Sequence, residues 1–472
     1  MTTYAELRSP GSRGTDAAAL VDRLRATFQG GVTRPASWRK HQLAQLQRLL
    51  EDCEAELIDA LSQDLGRSAF DSYLGDIGAT RAEIRHMERH LDRWMKPDPV
   101  KVPWKFRPAS AHIVNEPLGV TLVIAPWNLP VHLLLVPMAT ALAAGNAVVG
   151  KPSEVTPNVS ATLARLIPHY LDDRAVAVVE GAVEETTALL DQPFDHIFYT
   201  GNGTVGRIVL EAAARHLTPV TLELGGKSPA IVDRDANLEV AARRIAWGRF
   251  ANAGQACISP DYVLVHREVE DRLVELMVDA VHTFYGDDPK ESDDFQRVVN
   301  DRHWRRLKGL LDAGGYGAVA TGGDADEASL YLAPTILTGV DPHAAVMGEE
   351  IFGPILPVLA VDDVDAAVDR VNAGDKPLAL YVFSEDDAVV ERVLARTSSG
   401  GVCVNGTVFQ VTVSDLPFGG VGASGMGGYH GRQGFDTLSH RRSVLTRSTR
   451  FDPAMMYPPN SPRKVRMMRR FM

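Results

Sequence analysis

The chain has 472 residues, 45% hydrophobic and 23% charged, the balance of a globular protein with two or three buried cores. Its formal net charge of -11 argues against a nucleic-acid partner, because such domains carry a basic face. The spacings of Cys53, Cys257 and Cys403 suit neither zinc nor a disulfide framework, so a reducing compartment, the cytoplasm, is expected, with at least one thiol free to react.

The opening run MTTYAELRSPGSRG has no apolar core for a secretory signal. Residues 15–95 are predicted helical, because Leu43, Leu46, Leu49, Leu50, Leu57 and Leu61 recur at three- and four-residue spacing amid charges. Cys53 falls inside that helical pattern and is expected to be structural. Pro97, Pro99, Pro103 and Pro108 break the pattern and predict an extended linker into strands around 110–124. The longest apolar stretch, 131–149, contains Pro137, Gly145 and Asn146. It reads as a buried helix and then a strand, since a membrane span needs about 20 apolar residues.

From 118 onward strands and helices alternate. Strands are predicted at 120–125, 147–150, 176–179, 196–200 and 220–222, with helices at 131–144, 160–169, 184–190 and 206–214 between them. Such alternation implies an α/β fold with a parallel sheet covered on both faces. A second α/β unit starts near Gly225, with strands at 231–232, 262–266, 351–360 and 378–383 and helices at 238–250, 268–284, 364–373 and 388–397. Cys403 lies in an apolar strand, 401–404, and is expected in the core. The tail beyond Pro458 carries Arg463, Lys464, Arg466, Arg469 and Arg470. It reads as a solvated or subunit-packing end, with a weak contact to an anionic membrane as the alternative.

The predicted strand 196–200 runs directly into Gly201, Gly203 and Gly206, a GxGxxG run with a helix after it. In that context glycines allow close backbone approach, and the helix start offers free N–H groups to a phosphate. A dinucleotide-binding fold places an acidic residue about 20 positions on, to hold the ribose, and Glu223 stands there. Glu223 can equally be a catalytic base, and the glycine run does not decide between the two.

Three further segments bear on that choice. Asn128 follows a strand end between Pro126 and Pro130, where a stiffened side-chain amide can donate to a developing oxyanion. Glu223 is followed by Leu224, Gly225 and Gly226, which leave open backbone beside a carboxylate. Cys257, in the run GQAC at 254–257, sits on a connection between a helix and a strand, where it can face a cleft. The preceding helix end carries negative potential and would not activate the thiol, so a neighbouring base or cofactor charge must. Nucleophile, base and oxyanion donor are the three parts of covalent acyl chemistry.

These residues, with PWN at 126–128, GKPSE at 150–154, TGN at 200–202, ELGG at 223–226, GQAC at 254–257 and EEIFGP at 349–354, resemble the aldehyde dehydrogenase superfamily. The later runs LPFGGVGASGMGGYHG at 416–431, GFDTLSH at 434–440 and YPPN at 457–460 resemble its class 3 branch. The resemblance spans about residue 15 to about residue 460. It implies a Rossmann-like NAD(P)-binding domain (15–103 and 118–224), an α/β catalytic domain (225–410), a β arm for oligomerisation (104–117 and 436–448) and a C-terminal tail (449–472). It implies oxidation of an aldehyde, aromatic or medium-chain aliphatic, to a carboxylic acid through a thioester, in a homodimer. Carried over onto this chain, Cys257 is the nucleophile, Glu223 the general base, and Asn128 with the Cys257 N–H the oxyanion hole. Lys151 and Glu154 hold the adenosine ribose, which frees Glu223 from that role. Trp127, Thr200, Gly201, Asn202 and Gly206 line the cofactor site, Leu224 and Gly225 approach the nicotinamide, and Glu350 and Phe352 frame it. Glu154 favours NAD, with NADP as the second candidate.

Three positions depart from the family pattern. Gly203 stands where relatives often carry Ser or Thr, and Gly406 and Gln410 stand where class 3 members often carry Asp and His. His132 and His430 read as packing or hydrogen-bonding residues rather than metal ligands, no metal site is expected, and Lys227 reads as a surface charge. A coenzyme A-acylating dehydrogenase would share Cys257 and Asn128 but usually lacks the base. A catalytically silent scaffold would not need all three positions.

Overall fold

The computed structural model describes residues 16–471. Five parallel strands build the first sheet: β1 (Val120–Ile124), β2 (Ala147–Lys151), β3 (Val176–Val178), β4 (His196–Thr200) and β5 (Val220–Glu223). Their spatial order is 3-2-1-4-5, the doubly wound order of a Rossmann sheet. The order reverses between β1 and β4, so a crevice opens past the ends of those two strands. Ligands bind at such switch points. Helix α1 (His132–Ala144) follows β1 and is buried from Leu133 to Ala144. A helix apolar all round belongs in a core, so the longest apolar stretch of the sequence is buried helix and strand. Among the described residues no helix is long and apolar enough to cross a membrane.

The second sheet holds seven strands: β6 (Pro229–Val232), β7 (Tyr262–His266), β8 (Ala318–Thr321), β9 (Thr335–Thr338), β10 (Ile355–Val361), β11 (Ala379–Phe383) and β12 (Gly401–Val404). Its order is 8-9-10-7-6-11-12, parallel except where β8 meets β9. A short late strand, β13 (Gly425–Met426), returns to pair antiparallel with β5, setting Gly425 opposite Glu223. Outside both sheets, Ala109–Pro117 and Ser439–Arg447 pair antiparallel along nine residues each, with Asp98–Val100 alongside. The basic tail ends in a helix, Pro462–Phe471.

Three local expectations change. The helix after β4, α2 (Gly203–Ala214), starts three residues before the expected 206. Asn202 caps it, its side-chain oxygen accepting the Val205 N–H at 3.0 Å, so Gly203 and Gly206 are helical rather than parts of an open loop. Cys53 is not inside a helix but at the junction of Ala36–Asp52 and Glu54–Leu65, half-buried beside the Tyr170 hydroxyl at 3.6 Å. Cys403 is half-buried rather than core, because β12 is the last strand of its sheet and has a neighbour on one side only.

Candidate active site

The chain leaves β1 at the switch point and turns through Pro126, Trp127 and Asn128. Asn128 is buried and its side-chain Nδ2 donates to the Gln255 carbonyl at 3.1 Å. That contact joins the end of the first sheet to the loop carrying Cys257. The loop follows helix α3 (Leu238–Phe250) and a tight turn, Ala251–Gly254. Gly254 has φ +71°, and a Cβ there would fall 2.2 Å from the Gly353 carbonyl oxygen. Only glycine lets the Cys257 loop lie this close to the Glu349–Pro354 segment.

Cys257 keeps part of its surface open, while the protein packed around its sulfur pushes the thiol up to about 12. The carboxylates of Glu350 and Glu223 add to that shift, and the N–H groups of Cys257 and Ile258 point at the sulfur and oppose it. Glu223 closes β5 and is buried, and neither carboxylate oxygen has a hydrogen-bond partner. Burial therefore holds its carboxyl well above the usual range. The Tyr429 hydroxyl feels both Glu223 and Cys257, and its ring packs edge-on to Phe198 at 5.0 Å.

The expected cofactor residues divide into two groups. A cleft of about 700 Å³ is lined by Asn202, Gly203, Leu224, Gly225, Glu349 and Glu350. Lys151 and Glu154 lie off that cleft, at the end of β2, with Lys151 Nζ 3.8 Å from Glu154 Oε2 and 2.7 Å from the Pro152 carbonyl. Thr200 ends β4 next to Gly201, whose N–H donates to the Glu223 carbonyl at 3.0 Å. Trp127 meets Phe352 edge-on at 5.5 Å, and Phe352 has φ +46°. Gly206 packs against Leu224, its place for a Cβ lying 3.1 Å from Leu224 Cδ2.

A nicotinamide dinucleotide fits these residues. The Thr200 Oγ1 is buried with no partner, a donor available to a ligand oxygen. Lys151 and Glu154 put an ammonium and a half-exposed carboxylate together one strand away from the switch point. Gly225 leaves backbone open to the cleft.

Several site residues carry no signal in the sequence. Lys227 is no surface charge: it is half-buried, donating to Asp261 at 2.5 Å and to the Val346 and Glu349 carbonyls at 2.9 Å each. Asp261 also takes the Arg249 guanidinium at 3.1 Å and the Ile351 N–H at 3.0 Å, and so fixes the strand of chain that presents Glu350. Arg67, Asp76 and Asn252 hold Asn128 from segments far apart in the chain.

A family model described as "Aldehyde dehydrogenase family" matches residues 6–444. The chain belongs to this family. "Aldehyde dehydrogenase family 3 member A2" of Rattus norvegicus is 48% identical over 94% of this chain and 92% of its own. "Aldehyde dehydrogenase, dimeric NADP-preferring" of Mus musculus is 48% identical over 95% of this chain and 98% of its own. Among solved structures, the substrate-bound state of Staphylococcus aureus AldH superposes with a TM-score of 0.93 at 41% identity, covering 96% of this chain and 98% of that one. The aldehyde dehydrogenase described here is thus an NAD(P)-dependent oxidoreductase of aldehydes, similar to family 3 members, with the fold of that family.

Proposed function

We propose that this aldehyde dehydrogenase converts an aromatic or medium-chain aliphatic aldehyde to the carboxylic acid through a thioester on Cys257, which water activated by Glu223 hydrolyses. The observation that carries the reading is the Glu223 carboxylate, buried and without any partner at the end of β5. A buried carboxyl without a partner meets the cost of burial by a raised pKa, such perturbed groups cluster at functional sites, and a base with a raised pKa is suited to proton abstraction. Lys151 and Glu154 together offer a ribose a donor and an acceptor, which supports the base assignment of Glu223 over the ribose assignment.

The Cys257 sulfur attacks the carbonyl carbon, and the oxygen becomes an oxyanion. Asn128 Nδ2 and the Cys257 N–H would stabilise it, and one such donor is worth about 3–4 kcal/mol. When bound, NAD(P) supplies the hydride acceptor and a positive charge that favours the thiolate. Lys151, Glu154, Thr200 and Asn202 would hold it on one side, and Leu224, Gly225, Glu350 and Phe352 on the other. Glu223 then takes a proton from water, and the hydroxide expels the Cys257 thiolate from the thioester. A base in this role contributes about 10²–10⁴-fold.

NAD is the favoured cofactor in this reading, because the Glu154 carboxylate would accept from a ribose 2′-OH and repel a 2′-phosphate. A homodimer joined through the Ala109–Pro117 and Ser439–Arg447 strands is part of the same reading. Support comes from the exposure of Leu445 on that arm and from the mouse relative named dimeric. An aldehyde panel with NAD or NADP, with and without coenzyme A, tests the whole. Carboxylic acid formed without coenzyme A supports the reading. Acyl-coenzyme A formed only when coenzyme A is present, or no reduced cofactor with any aldehyde, contradicts it.

A further inference from the structure

Arg67 follows the glycine that ends helix Glu54–Leu65 and is buried. Its guanidinium donates through Nη1 to Asp76 Oδ2 at 2.5 Å and through Nε and Nη2 to Asn252 Oδ1 at 3.1 and 2.8 Å. Nη2 also donates to the Asn128 carbonyl. Asp76 is fully buried, and its Oδ1 accepts the N–H groups of Val131 and His132 at 2.9 Å each. The first turn of α1, just after Asn128, is thereby pinned to the same arginine.

Asn252 closes the circuit. Its Nδ2 donates to the Asn128 carbonyl at 3.3 Å and to the Gln255 carbonyl at 3.0 Å. The Gln255 carbonyl also accepts Asn128 Nδ2, so the side chain of Asn128 is tied to a residue two before Cys257, while its backbone carbonyl is held by Asn252 and Arg67. Asn252 adopts φ +54°, a left-handed conformation that asparagine tolerates better than most residues. The position therefore combines a backbone that few side chains accept with an amide that donates and accepts at once.

The orientation of the Asn128 amide follows. An amide can present either its oxygen or its nitrogen to a site. The Gln255 carbonyl accepts and cannot donate, so it selects the nitrogen. One of the two Nδ2 hydrogens is spent on Gln255, and the second remains for a reacting oxygen. Fixing a donor before charge develops avoids the cost of reorganising it during the reaction.

We propose that Arg67, Asp76 and Asn252 form a buried clamp that orients the Asn128 amide toward the Cys257 loop, with Asn252 as the positioning residue that links the two. The proposal rests on the reading of Asn128 as the oxyanion donor. A cofactor-free reaction isolates that function: Cys257 attacks p-nitrophenyl acetate, the S–C bond forms, the C–O bond breaks, and p-nitrophenolate leaves. The acetyl-enzyme is then hydrolysed by water.

The test is a double-mutant cycle on the rate of nitrophenolate release, with Asn128→Ala, Asn252→Asp and both together. Asn252→Asp keeps the acceptor for Arg67 and loses both donated bonds. Asn128→Ala is expected to slow release about 10²–10³-fold. Asn252→Asp is expected to slow it about 10-fold or more, with KM unchanged, and to add less than about 3-fold in the Asn128→Ala background. Asn252→Gly keeps the left-handed backbone and replaces Asn252→Asp if the latter does not fold. Equal slowing by the Asn252 change in both backgrounds, or no slowing on its own, overturns the clamp. An undiminished rate in Asn128→Ala overturns the oxyanion reading itself, and is recognised by that single variant.

Discussion

Gly225 lies against the Glu350 carboxylate so closely that a Cβ built on it would fall 1.9 Å from Glu350 Oε2. Both residues line the cleft that also touches Asn202 and Leu224. Gly225→Ala must therefore displace Glu350 from the Gly226 N–H that it meets. The displaced carboxylate moves within the cleft that a nicotinamide would enter, so NAD(P) affinity is expected to fall about tenfold, or about 1.4 kcal/mol. Fluorescence titration with the reduced cofactor measures it. An unchanged affinity would place the nicotinamide away from Gly225.

Glu350 also makes stability depend on pH. Burial pushes its carboxyl up to about 8, with the charge of Asp261 adding and the Gly226 N–H, Arg249 and Lys227 opposing. The folded value lies above the ordinary 4.5, so the folded state binds this proton more tightly. Its contribution is fully present below about pH 4.5 and is lost as pH rises through about 8. Between pH 6 and 9 the wild-type melting temperature is expected to fall more steeply than that of Glu350→Gln. Parallel melting curves would show that Glu350 does not titrate in this range.

His430 acts in the opposite direction. Both its ring nitrogens are buried without partners, and the ring stacks on Phe418 at 5.4 Å. Burial, with the nearby His132 adding to it, pushes its pKa down to about 3. The stability it confers is present above about pH 6.5 and is lost as pH falls toward 3. His430→Phe keeps a stacking ring and removes the protonation site. Its melting temperature is expected to fall less than wild type between pH 6.5 and 5, read by thermal melts across that range. An identical acid limb would assign the loss to other groups.

Asp261 is the hub under the Glu350 segment. It takes Lys227, Arg249 and the Ile351 N–H, and Arg249 is 0% exposed. Asp261→Asn leaves a buried guanidinium without its counter-charge. Breaking a buried pair in this way costs about 3–5 kcal/mol, to be read from urea unfolding. A loss below about 1 kcal/mol would mean that the pair is replaced by water or by rearrangement.

Most sheet strands are legible as short apolar runs between turn residues, and β1, β4 and β7 fall within a residue of their expected bounds, whereas β8, β9 and β13, each two to four residues long, carry no such signal. The three candidate residues Asn128, Glu223 and Cys257 stand out because each sits in a local run with its own chemistry. What could not be read depends on contacts between distant segments. Arg67 and Asn252 are 185 positions apart and meet through one guanidinium and one amide. Lys227 looked like a surface charge because its three acceptors come from two other parts of the chain. The start of α2 differs from the expected one because Asn202 looks in sequence like part of a glycine loop, whereas its side chain caps the helix.

In the proposed reaction Cys257 carries the acyl group and Glu223 releases it. Rapid mixing of Glu223→Gln with aldehyde and NAD(P), followed by peptide mass spectrometry, tests both halves at once. The expected result is a burst of about one equivalent of reduced cofactor per active site, little turnover after it, and an acyl adduct on the peptide containing Cys257. Sustained turnover with a switched cofactor preference would make Glu223 the ribose ligand, and an adduct on any other residue would remove Cys257 from the reaction.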